Sequence, residues 1–129
     1  MSYKTTGKDF EIFKAECQGW VEYLGLKSWE IGYDFDYDQD CRASCIANKT
    51  GRVSTLALSK TFDYKPCVKE IRLMAFHEVL ELLFSRYRLA AESRYTTESE
   101  LEEIRHSIIK TFENTMFVDV NPSKRKKGK

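Results

Sequence analysis

The pentapeptide His77-Glu78-Val79-Leu80-Glu81 holds the residues best suited to chemistry in this chain of 129 residues. In the helical pattern H-E-x-x-H, two histidines one turn apart face a single metal ion, and the Glu between them draws a proton from metal-bound water. Here Glu81 stands where the second histidine would be. The spacing survives the exchange, because a residue four positions along a helix projects from the same face. A carboxylate oxygen is also an accepted zinc ligand. Glu102 and His106 form a second pair at the same spacing later in the chain.

Each of these residues has a plainer reading. His77 could be a core histidine bonded to a backbone carbonyl or a nearby glutamate. Glu78 and Glu81 could pair with Arg86, Arg88 or a lysine across the fold. His106 lies among Glu102, Glu103 and Lys110 and reads as an exposed histidine, while Glu102 suits the positive end of a helix dipole. The cysteines offer no metal pair: none of Cys17, Cys41, Cys45 and Cys67 makes a C-x-x-C. Cys41 and Cys45 would stand ~13 Å apart along a regular strand, too far to share one ion. All four read as reduced thiols, mostly buried.

These residues need elements to place them. Phe10, Phe13, Cys17, Trp20, Val21 and Leu24 recur at helical spacing, which predicts an amphipathic helix over Lys8 to Leu24 with Gly25 at its left-handed stop. Trp29 to Asp38 alternates apolar with acid or Gly, the period of a half-buried strand. Cys41 to Ala47 and Arg52 to Leu58 predict two more strands, joined by a hairpin at Asn48-Lys49-Thr50-Gly51 whose Asn and Gly tolerate positive φ. Val68 to Tyr87 is apolar around most of a helical wheel and predicts a buried central helix, with Glu70, His77, Glu78 and Glu81 gathered on one side. Arg86 to Tyr95 reads as a polar connection. A final helix starts at Thr97, where Thr97 and Glu100 fit a capping box, and buries Leu101, Ile104, Ile108, Phe112 and Met116. The expected fold class is α+β: an N-terminal helix, a three-stranded antiparallel sheet, a buried central helix and a C-terminal helix.

Size and charge set the limits of function. A chain of 129 residues is one ordinary domain, expected over residues 1–120, and buries roughly 68% of its unfolded surface, enough to fold without a structural metal. Hydrophobic residues make up 42% and charged residues 32%, which excludes a disordered or collagen-like chain. No apolar stretch approaches the ~20 residues of a membrane span, and the first residues hold no apolar signal region, so a cytoplasmic protein without membrane contact is expected. The net charge of +1 is a composite. Lys124 to Lys129 carries five of the 21 positive charges, which leaves the rest at 16 against 20. That basic tail, expected to be disordered over residues 121–129, offers weak contact with polyanions. The aromatic stripe Trp29, Tyr33, Phe35 and Tyr37 is interleaved with acids, which argues against a nucleic-acid platform.

In layout the chain resembles small zincin-like metallopeptidases of bacteriophage and bacterial genomes. The resemblance rests on Leu24-Gly25-Leu26-Lys27-Ser28-Trp29 closing the first helix, on strands preceding a helix with Ala75-Phe76-His77-Glu78-Val79-Leu80, and on an acidic helix near the C-terminus. Glu81 in place of the second histidine is the main departure. The resemblance implies that His77 and Glu81 bind a metal, with His106 or Glu102 as third protein ligand and an open fourth position for water. Zinc would lower that water's pKa toward ~7, Glu78 would take its proton, and hydroxide would attack a peptide carbonyl. The extra carboxylate weakens the Lewis acid and tilts the site toward harder cations such as Mn²⁺ or Mg²⁺. The alternative is a degenerate scaffold without metal, a phage-encoded binding or inhibitor protein directed in the host cytoplasm at a host protein or nucleoprotein.

Overall fold

A computed structural model describes residues 3–36, 42–48 and 51–120. The expected strand positions Tyr37, Asp38 and Cys41, the hairpin residues Lys49 and Thr50, and the basic tail lie outside them. The described elements are β1 (Tyr3–Lys4), α1 (Gly7–Tyr23), β2 (Glu30–Asp36), β3 (Ala43–Asn48), β4 (Val53–Ser59), β5 (Thr61–Phe62), α2 (Val68–Glu92) and α3 (Glu98–Phe112). A π-helical turn over Glu113–Phe117 and a last helical turn over Val118–Val120 continue α3.

The ends of α1 follow directly from residue chemistry. Thr6 accepts a hydrogen bond from the Asp9 backbone N–H while Asp9 accepts one from that of Thr6, a closed capping box. At the other end Gly25 takes φ +70°. This lets its N–H reach the Glu22 carbonyl and the Leu26 N–H reach that of Val21, the paired bonds of a Schellman stop. Leu26 is buried, which anchors the chain before β2.

The fold is α+β as expected, but the sheet is mixed rather than antiparallel. Its order is β2-β4-β3, with β2 parallel to β4 and only β3 antiparallel to it. Alternation in sequence fixes which side chains share a face and says nothing about which strand lies next door. β3 lies between β2 and β4 in sequence, which gives the chain the length of return that a parallel pair requires. The positive φ in the β3–β4 connection falls on Arg52 among the described residues, at 50°.

One hydrophobic cluster joins α1, the sheet, α2 and α3. Phe13, Leu56, Leu58, Ile71, Ala75 and Val79 are wholly inaccessible, and each large apolar side chain among them contributes roughly 1.5–3 kcal/mol by leaving water. Phe35 of β2 stacks on Phe10 of α1 at 5.1 Å, which joins sheet to helix. α2 is central, packed against α1, α3, β3 and β4. It is not buried all round, since Val68, Leu73, Phe84 and Tyr87 are exposed. It also runs through to Glu92, so most of the expected polar connection is helix: Arg88 and Glu92 face each other one turn apart at 3.4 Å. α3 starts where expected, with Thr97 accepting from the Glu100 N–H.

Candidate functional site at the junction of α2 and β3

The face of α2 that carries the H-E-x-x-E motif has two sides. His77 and Glu81, one turn apart, are both exposed. Glu78 instead falls in the core stripe Ile71, Ala75, Glu78, Leu82 and Ser85, the i, i+3, i+4 pattern that meets the sheet, and is 8% exposed. Burial raises its carboxyl above the usual range, His77 opposes that shift, and Glu81 adds to it. No hydrogen bond or salt bridge among the described residues engages Glu78 or Glu81. Arg86 pairs with Glu103 at 3.5 Å and Arg88 with Glu92, so neither arginine serves them.

Glu102 and His106 are exposed on α3. Arg86 of α2 pairs with Glu103 of α3, the neighbour of Glu102. Glu102 is engaged by Arg105 of its own helix at 3.6 Å. His77 and Glu81 thus share an exposed face of α2, and Glu102 and His106 are exposed on α3. Among the described residues no group of three or more His, Cys, Asp or Glu is placed to hold a metal ion. A catalytic zinc takes three protein ligands. Among the described residues His77 and Glu81 are joined by no third such ligand.

Beneath the motif lies a polar inclusion that sequence reading missed. The Cys17 thiol of α1 donates to the Ala75 carbonyl of α2 at 3.8 Å, and Cys45 of β3 meets Ser54 of β4 at 3.8 Å. Burial pushes the Cys17 thiol far up, with Glu78, Glu16 and Cys45 adding to it. Cys45 is raised first by burial, against the Ser54 hydrogen bond, and then by Glu78 and Glu81. Tyr33 of β2 is pushed up to about 12, mainly by burial. α2 packs against β3, and Glu78 and Glu81 both act on the Cys45 thiol of that strand. The available signal was the spacing of Glu78 from Ile71, Ala75 and Leu82, which sets it with the core rather than with His77.

β3 is the outer strand on this side, and no other described strand pairs with its far edge. The Ser59 N–H donates to the Arg42 carbonyl at 2.8 Å, which fixes the phase of the ladder. Antiparallel pairs alternate between bonded and unbonded. Ser44, Ile46 and Asn48 therefore exchange hydrogen bonds with β4, and the N–H and C=O groups of Ala43, Cys45 and Ala47 point away from it.

Comparison with protein-family models, with curated proteins and with solved structures found no match. No helix among the described residues is long and apolar enough to cross a membrane.

Proposed function

We propose that the chain is a zincin-like scaffold that binds an extended segment of a peptide or protein along the outer edge of β3, beside the His77–Glu81 face. The observation that carries this reading is the juxtaposition itself. Alternate backbone donors and acceptors of β3 face outward, and α2, which packs on this strand, carries two carboxylates and an imidazole that no salt bridge among the described residues engages. A strand added to such an edge gains main-chain hydrogen bonds, and neighbouring side chains read its sequence. The exposed Glu81 favours segments that present a basic side chain at this point. A cytoplasmic setting accords with Cys17, Cys45 and Cys67 being free thiols.

Selection of peptides from a random display library, followed by titration, tests the reading. Selected peptides should bind Ala47→Pro at least tenfold more weakly, since proline deletes an outward N–H and spares the β4 ladder. Unchanged affinity would overturn the assignment.

A metal-dependent peptidase is the second reading, favoured by the raised Glu78 carboxyl beside exposed His77. A zinc content near one per chain that disappears in His77→Ala, with casein hydrolysis lost in Glu78→Gln, would establish it in place of pure binding.

A further inference from the structure

A separate bay opens on the other flank of α2, away from β3. Its volume is about 510 Å³, within the roughly 300–1,000 Å³ of small-molecule sites. Trp20 and Tyr23 of α1, Phe76 and Leu80 of α2, and Phe112 and Met116 after them form its walls. We propose that this bay is a binding site for one neutral, apolar small molecule, aromatic or aliphatic.

Shape and charge both select that ligand. Trp20 packs on Phe76 with centroids 4.6 Å apart, and this pair stands between the bay and a shallower hollow lined by Val68, Lys69, Arg72 and Leu73. At the other end the Tyr23 hydroxyl donates to the Asp119 carboxylate, tying α1 to the last helical turn. Trp20, Phe76, Tyr23 and Asp119 all line the bay. The acids at its rim are already engaged. Glu16 accepts from the Trp20 indole and from Arg72, each at 2.9 Å, and Asp119 from Tyr23. An anion would face two carboxylates, and the apolar walls offer a cation little besides rim acids already bonded within the protein.

The wall also departs from regular helix at this one place. The turn Glu113–Phe117 is π-helical, and it carries Met116 into the bay. Such turns are rare and concentrate at functional sites. The chain's remaining residues do not suit the bay: from Asn121 to Lys129 the sequence holds no apolar side chain apart from Pro122.

The experiment is a fluorescence titration of the full chain with N-phenyl-1-naphthylamine, a neutral probe that brightens on leaving water. Saturable binding with one site per chain, reversed by 1-decanol, is expected. Gly19→Leu should weaken it at least tenfold, because Gly19 lines the bay and a Cβ there meets nothing within 4 Å, so the larger side chain occupies the space without disturbing α1. Ile46→Ser, on the sheet and 69% exposed, should leave binding unchanged. Absence of saturable binding, equal binding by Gly19→Leu, or an equal loss in Ile46→Ser would each overturn the proposal.

Discussion

His77 and Glu78 are neighbours in sequence and stand on different sides of the α2 surface: the imidazole is exposed, while Glu78 is 8% exposed and faces the thiols of Cys17 and Cys45. One step of 100° around the helix separates a group available to a ligand from a group held in the core.

That placement makes Glu78 a cost to stability at neutral pH. Its folded carboxyl is raised mainly by burial, so the native state holds the proton more tightly than the unfolded chain. The stability tied to that proton is fully present below the unfolded pKa of about 4.3 and is lost as pH rises through the folded value. Glu78→Gln should therefore stabilise the protein by ~1 kcal/mol at pH 7.5, with the gain vanishing near pH 4. Urea denaturation at both values checks this, and a loss of stability at pH 7.5 would contradict it.

Two glycines of the first helix should respond with opposite signs. Gly25 occupies φ +70°, where any Cβ is strained, so Gly25→Ala should cost ~1 kcal/mol. Gly19 lies inside α1 with open space around it, and Gly19→Ala should gain roughly 0.5–1 kcal/mol from helix propensity. Thermal melts of the two variants against wild type decide the matter.

The thiols should separate by accessibility. Cys67 is exposed and Cys45 half-buried, whereas Cys17 is buried with its pKa far above the ordinary range. Among these three thiols iodoacetamide should modify Cys67 first and leave Cys17 untouched until denaturant is added. Peptide mass spectrometry at timed intervals reads the order, and early labelling of Cys17 would show that the α1–α2 contact is open.

Sheet packing predicts a similar contrast. Leu56 in β4 is wholly buried and Ile46 in β3 is 69% exposed. Leu56→Ala should cost roughly 2–5 kcal/mol in urea denaturation, and Ile46→Ala about 0.5 kcal/mol or less.

Much of this architecture was legible in the residues, because it rests on local rules. The stripe from Phe10 to Leu24, the stop at Gly25 and the start at Thr97 are written in helical spacing and capping chemistry, and Ile31, Tyr33 and Phe35 announce a half-buried strand by alternation. The parallel pairing of β2 with β4 was hidden, since it depends on where the chain returns. In α2 the wheel set Glu78 on one side with Glu70, His77 and Glu81, and burial in the core separates it from them. The π-helical turn at Glu113–Phe117 has no cue in Glu-Asn-Thr-Met-Phe. Of the candidate site, His77 and Glu81 share an exposed face as their spacing required, while the edge of β3 beside them emerges only once three strands are ordered.

Residue-resolved amide hydrogen exchange tests the edge-strand account most directly. In the free protein the amides of Ser44, Ile46 and Asn48 should be protected by β4, and those of Ala43, Cys45 and Ala47 should exchange rapidly. Saturation with a library-selected peptide should protect Ala43, Cys45 and Ala47. Peptide binding that leaves these three amides exchanging as before would contradict the account.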